Sequence, residues 1–211
     1  MVVFATLFWA GNFNIGKFAS IENISPFTLA FLRWLLVWII LMPFTYKEIF
    51  SLKKTIFKNF KFLIILGLSS VFLYSALTYK ALNYTQVINA SRFNTAAPAA
   101  IILVCLLLKI EKTNIFQLSG LLISTLGILA ILTKLDLNIL LTLDFNEGDL
   151  YRIIAIISWG VYSVLLKKRN FQISLLALVQ IICTFGLLML APAFFIELNQ
   201  GYSVDINFKL F

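Results

Sequence analysis

Seven apolar runs, each long enough to cross a bilayer, divide this chain and leave it few ways to fold. They cover about Val2 to Ala19, Phe27 to Phe44, Phe62 to Leu82, Thr85 to Leu108, Ile115 to Thr133, Leu150 to Leu166 and Ile173 to Phe195. Within lipid a chain must satisfy its own backbone N–H and C=O groups, so runs of this length predict helices. The chain is 61% hydrophobic and only 12% charged, with a mean hydropathy of +0.97. A soluble domain of this size does not have that composition. The reading is an all-α polytopic membrane protein.

The charges sit in the connections and set an orientation. Lys47, Lys53, Lys54, Lys58 and Lys61 follow the second span, Lys109 and Lys112 the fourth, and Lys167, Lys168 and Arg169 the sixth. These three basic segments fall on one side of the membrane. Glu22 and the acidic segment with Asp136, Asp144, Glu147 and Asp149 fall on the other. The positive-inside rule then places the N-terminus in the cytoplasm and the C-terminus of this chain outside, in the cell (inner) membrane. Fixing topology accounts for the net charge of +8, so the basic segments are not read as a nucleic-acid patch. No cleavable signal peptide is read at the start, because the first run lacks a basic leader and carries polar residues.

Those polar residues form the most informative stretch, W-A-G-N-F-N-I-G-K from Trp9 to Lys17. At 100° per residue, Ala5, Trp9, Asn12, Phe13 and Gly16 share one helix face. A related stretch, W-G-V-Y-S-V-L-L-K, runs from Trp159 to Lys167, and there Ala155, Trp159, Tyr162 and Ser163 take the matching face. Such a stripe must meet protein or a water-filled cavity rather than lipid. Small residues alone would serve helix packing. The recurrence favours a shared cavity.

The recurrence extends beyond the tryptophans. Ile24-Ser25 matches Ile173-Ser174, Leu41-Met42-Pro43 matches Leu190-Ala191-Pro192, and Glu48 matches Glu197. Spans six and seven therefore repeat spans one and two. A repeat of five spans, an odd number, enters the membrane from opposite sides in its two copies, which is the inverted-repeat plan of many secondary carriers. The expected domains are a first five-helix repeat over residues 1–147 and a second over 148–211, truncated after two helices, with roughly 85 residues absent by the repeat arithmetic.

At this point the residues resemble a known family. F-W-A-G-N-F-N-I-G-K, I-S-P-F-T-L-A-F-L-R-W, Y-K-A-L-N-Y-T-Q-V-I-N-A-S with Pro98 beyond it, and E-G-D-L before S-W-G-V-Y-S-V-L-L-K-K occur in the order seen in the EamA-type members of the drug/metabolite transporter superfamily. The resemblance covers nearly the whole chain and rests on order and spacing, since no single motif is a catalytic signature. It implies a ten-span, two-repeat permease that moves amino acids and other small metabolites, often outward. The chain differs from that pattern in ending after span seven and in the Arg92-Phe93 pair.

Four cations fall within spans one to four: Lys17, Arg33, Lys80 and Arg92. Each would cost about 2.5–3.5 kcal/mol at the bilayer centre. Lys17 and Lys80, near helix ends, are expected to reach the outer interface. Arg33 starts roughly 10 Å along its helix from Pro26 and is deep enough for a cavity role. Arg92 shares a face with Asn89, Phe93, Ala96, Ala99 and Ala100. The first six spans as bounded here contain no Asp or Glu, so the cations lack a carboxylate partner and an anionic group of a substrate could serve. The substrate-binding candidates are Trp9, Asn12, Phe13, Arg33, Asn89, Arg92, Trp159, Tyr162 and Ser163.

The chain contains no histidine, which removes His metal ligands, bases and proton relays, and Cys105 and Cys183 read as apolar filler. No catalytic site, cofactor or metal is expected. The function expected is a secondary transporter, an exporter of amino acids or related metabolites working by alternating access. A nucleotide-sugar or cation carrier of the same superfamily, a seven-span sensor or receptor, a membrane-embedded enzyme and a non-transporting fragment are weaker alternatives. The implied partners are the lipid bilayer and a small-molecule substrate, with self-association left open.

Overall fold

The computed structural model describes residues 2–110, 114–133 and 146–200, and every regular element among them is helical. The long helices are α1 (Val2–Ile21), α2 (Pro26–Ser51), α4 (Phe60–Tyr84), α5 (Val87–Leu107), α6 (Ile115–Thr133), α7 (Glu147–Lys168) and α8 (Leu175–Asn199). A short helix, α3 (Lys53–Lys58), joins α2 to α4. Five helices, α2, α4, α5, α7 and α8, are long and apolar enough to cross a membrane. The protein is thus an all-helical, multi-pass membrane protein. Asp136, Asp144, Glu111, Lys112 and the segment 201–211 lie outside the described residues.

Each of the seven apolar runs coincides with a helix, although α1 and α6 are not among the five long and apolar enough to cross a membrane, and there are four local differences. The expectation ended the second span at Phe44, but α2 continues through Pro43 to Ser51, which brings Glu48 into its last turns. Pro192 likewise lies inside α8, which reaches Asn199 and takes in Glu197. The middle of α4, Leu68–Ala76, is wound as a π-helix. Its serines explain the loosening: Ser69 and Ser70 hydroxyls donate to the carbonyls of Ile65 (2.7 Å) and Leu66 (2.6 Å), competing with the regular ladder. In α5 the residues Phe93–Ala96 tighten into a 3₁₀ turn, and the helix restarts at Ala97 with Pro98 in its first turn. There the missing N–H of proline costs nothing.

The core is formed where α2, α4 and α8 meet, with Ala30, Leu63, Leu66, Val71, Ala177, Leu178 and Leu190 all buried. Glycines allow the closest approaches. A Cβ on Gly186 of α8 would stand 2.3 Å from Val71 of α4, and one on Gly160 of α7 would stand 3.1 Å from the Ala100 backbone of α5.

Two carboxylates tie α2 and α8 together at both ends. At the end bearing Lys47 to Lys61, called here the basic end, Glu48 accepts from the backbone N–H (2.9 Å) and hydroxyl (2.6 Å) of Ser174, the residue that caps α8. At the opposite end Glu197 accepts from the backbone N–H (2.8 Å) and hydroxyl (3.0 Å) of Thr28 in the first turn of α2. Each helix thus supplies from its last turns the anion that fills the positive N-terminus of the other. Separately, Asn146 and Asp149 form a reciprocal capping box that starts α7.

Candidate functional site

The π-helical segment matters because of what it presents. Ser70, Tyr74, Ser75, Thr78 and Tyr79 of α4 all line one cavity of about 380 Å³. Phe8, Trp9 and Asn12 of α1, Arg33 and Trp34 of α2, Trp159 and Tyr162 of α7, and Val179, Ile182 and Cys183 of α8 complete its wall. The residues come from α1, α2 and α4 and, much later in the chain, from α7 and α8. Its floor is aromatic: the Trp159 ring lies 6.0 Å from Trp9, 4.8 Å from Tyr74 and 5.2 Å from Tyr162 between ring centroids. The tryptophans of the two related stretches, Trp9 to Lys17 and Trp159 to Lys167, therefore meet.

Arg33 is the cation of this cavity. Its guanidinium donates to Asn12 Oδ1 (2.5 Å), Tyr79 Oη (2.7 Å) and Ser75 Oγ (3.2 Å). Tyr79 in turn donates to Asn12 Oδ1 (2.5 Å), and the Trp34 indole donates to Ser75 Oγ (2.8 Å). The guanidinium lies 4.9 Å from the Trp34 ring centroid and 5.4 Å from that of Tyr79. These partners are all neutral, and no Asp or Glu is among the lining residues. The result is a fixed, oriented positive charge in an aromatic chamber, its fork suited to a planar oxyanion.

The sequence reasoning overlooked a second arginine. Arg152 of α7 is fully buried; Nε donates to the Ala90 carbonyl (3.0 Å), Nη1 to Thr78 Oγ1 (2.7 Å) and Nη2 to Asn94 Oδ1. Its guanidinium lies against the rings of Phe13 (5.1 Å) and Tyr74 (5.7 Å). It shares Thr78 and Tyr74 with the cavity wall and so stands behind it, tying α7 to α4, α5 and α1. Helical phase pointed to it, since Arg152 lies seven residues before Trp159 and so on the same face. The expected cations were confined to spans one to four, and Arg152 lies in the sixth, Leu150 to Leu166.

The other expected residues divide. Trp9, Asn12, Arg33, Trp159 and Tyr162 line the cavity. Phe13 is buried and packs against Arg152, one layer behind. Ser163 donates to the Trp159 carbonyl (2.8 Å) and does not line the cavity. Asn89 is exposed and away from it, and the side chain of Arg92 lies outside the described residues. Lys17 does not simply reach for water: its ammonium donates to the carbonyls of Leu82 (2.8 Å) and Thr85 (3.1 Å), closing the C-terminus of α4. Lys80 lies over the Tyr151 ring at 4.5 Å. Cys105 and Cys183 are free, and Cys183, expected only as filler, is part of the cavity wall. Among the described residues no group of His, Cys, Asp and Glu is placed to hold a metal ion.

Two curated transporters and one family model match this chain in sequence. An uncharacterized transporter of Archaeoglobus fulgidus is 30% identical over 99% of this chain, which spans 70% of that protein's length. The uncharacterized transporter YyaM of Bacillus subtilis is 28% identical over 80% of this chain, and the match covers 55% of YyaM. No solved structure matches the chain. The EamA-like transporter family matches residues 1–133, which includes α1, α2, α4, α5 and α6 and most of the residues that line the cavity. The chain belongs to the EamA-like transporter family.

Proposed function

We propose that this protein is a secondary carrier of small carboxylate-bearing metabolites, amino acids among them, and that it moves them outward across the cell membrane. The observation that carries this reading is Arg33: a cation held by neutral groups in an aromatic chamber whose lining includes no acid. A substrate carboxylate would supply the missing charge and take a bidentate position on the fork. The Trp9, Trp34, Trp159 and Tyr162 rings would hold the apolar body of the substrate or stack on its ammonium.

Alternating access between two inverted copies is the mechanism we assign. The reading is supported by the paired sequence segments and by the way Glu48 and Glu197, which match in the two copies, each cap the helix of the other. The α2–α8 pair, pinned at both ends, would be the fixed axis. The α1 and α7 faces bearing Trp9 and Trp159 would move against it. The orientation follows the positive-inside rule, with the basic end in the cytoplasm.

The test is a counterflow screen in proteoliposomes, with labelled amino acids, other carboxylates, sugars and quaternary amines offered in turn. The expected result is exchange of carboxylate-bearing compounds, lost by about tenfold or more in Arg33→Gln, since a hydrogen bond to a charged group contributes about 1.5–3 kcal/mol. Exchange of sugars or quaternary amines alone, or an Arg33→Gln variant as active as the wild type, would overturn it.

A further inference from the structure

A groove between α2 and α8, outside the chamber, is bordered by a side chain with an unmet polar atom. Gln180 of α8 is 2% exposed, and its Nε2 donates to the Trp38 carbonyl of α2 (3.2 Å). That bond fixes which end of the amide is which, because a carbonyl only accepts. The other end, Oε1, is buried without a hydrogen-bond partner. A buried acceptor left unmet is costly and uncommon. Thr184, one turn further on, does not serve it. Its hydroxyl donates to the Gln180 carbonyl (2.9 Å) and accepts from the Trp38 indole (2.9 Å).

Trp38, Gln180 and Thr184 border a groove of about 350 Å³, and none of the three lines the Arg33 chamber. On α2 the groove follows Trp38, Met42, Thr45 and Ile49, a single stripe at helical spacing. From Trp38 to Phe50 it runs about 18 Å toward the basic end, close to the apolar depth of one leaflet, about 15 Å. Ile56 and Phe57 of α3 line it at that end. Lys53 stands there too, its ammonium over the Phe50 ring at 3.2 Å. Met42, Tyr46, Phe50 and Phe57 are exposed, so the groove opens sideways onto surface that lipid covers. Among the described residues no carboxylate lines it, and Glu48, beside Ile49 in the chain, is held by Ser174.

These features select an occupant. It arrives from the bilayer, where the groove opens. It carries one apolar chain, because the stripe on α2 is one residue wide. It brings an anionic head for Lys53. It also brings an N–H or O–H donor for Gln180, which lies about 9 Å along α8 from Ser174 and so just below the interface. The glycerol backbone of a diacyl phospholipid offers ester oxygens alone, which accept and leave Oε1 unmet, and its headgroup donors lie beyond the phosphate. A monoacyl phospholipid has a free hydroxyl on that backbone. We infer that the groove between α2, α3 and α8 binds a monoacyl phospholipid. Its chain lies along the Trp38–Ile49 stripe, its phosphate meets Lys53, and its glycerol hydroxyl donates to Gln180 Oε1. The site is separate from the chamber and does not depend on the carrier reading.

The experiment measures binding to the full chain in detergent by native mass spectrometry. The probes are palmitoyl lysophosphatidic acid, the same compound with its glycerol hydroxyl replaced by hydrogen, and dipalmitoyl phosphatidic acid. The wild type is expected to hold one equivalent of the first, about fivefold to tenfold more tightly than either of the others. Gln180→Leu should erase that preference. Lys53→Gln should weaken binding of the first two probes alike and remove its salt dependence. Met42→Trp leaves Gln180 in place but fills the groove, and should abolish binding with no fall in the unfolding midpoint, so the test holds even where Gln180→Leu folds poorly. Arg33→Gln should change nothing, since the chamber is elsewhere. Equal affinity for the three probes, a preference kept in Gln180→Leu, binding that survives Met42→Trp, binding lost in Arg33→Gln, or no binding at all would each overturn the inference.

Discussion

The carboxylate of Glu48, near the end of α2, is held by Ser174 at the start of α8 through both its N–H and its hydroxyl. The matching Glu197–Thr28 contact differs in one respect: it is buried, with Thr28 at 2% exposure and Glu197 at 9%. Burial makes an unmet N–H expensive. Glu197→Ala should lower stability by about 1–3 kcal/mol. Glu48→Ala should cost less, because Ser174 is exposed and water can replace the carboxylate. Thermal unfolding in detergent should rank the two in that order. The reverse order would mean that the contact at the basic end is the one that holds α2 to α8.

Arg152 should tolerate no replacement. Lysine keeps the charge but cannot serve Thr78, Asn94 and Ala90 together, because it lacks the planar fork. Arg152→Lys and Arg152→Ala are therefore expected to lose comparable amounts of folded protein, each by several kcal/mol on the order of removing one partner from a buried charged network. Yield and monodispersity after detergent extraction report it.

Inside the cavity, Tyr79→Phe removes the hydroxyl that accepts from Arg33 and donates to Asn12. Arg33 keeps Asn12 and Ser75 but loses the group that fixes its angle. The expected result is a rise in KM of about fivefold to tenfold with little change in unfolding temperature, since one hydrogen bond to a charged group is lost beside a cavity water can enter. Concentration dependence of exchange in proteoliposomes reads it.

The glycines give a test of packing. Gly186→Ala places a methyl against Val71 and should destabilise by about 1–3 kcal/mol, relieved in part by Val71→Gly, which removes the Cβ it meets. Gly11→Ala meets nothing within 4 Å and should be neutral or stabilising by up to about 1 kcal/mol from helix propensity. Unfolding midpoints of the three variants decide it.

Much of this was legible in the sequence because lipid leaves helices little freedom: apolar length located the spans, and the face of Trp9 and Asn12 identified one cavity wall. The limits are physical as well. Glu48 and Glu197 were visible as a matched pair, but their role depends on two helices continuing past Phe44 and Phe195, where the boundary read from hydropathy stops. Arg152 lay in the open inside the sixth span, but near its start, where a long side chain is expected to reach the interface. Asn89 drew interest for its polarity on an apolar helix, yet it faces away from the cavity. The serines of α4 were readable as a polar stripe, but not as the cause of a change in winding.

That change in winding sets the angular position of everything beyond it. A π-helical stretch advances less per residue than an α-helix, so Leu68–Ala76 rotates Thr78 and Tyr79 relative to the regularly wound turns before it. Ser70 and Tyr79 face the same chamber only because of this accumulated twist. Regular winding, at about 100° per residue, would put Tyr79, nine residues on, on the face of α4 opposite Ser70. A stretch wound in that way would keep hydrophobic length and topology while turning Tyr79 away from Arg33, leaving a protein that still inserts but has no chamber to load.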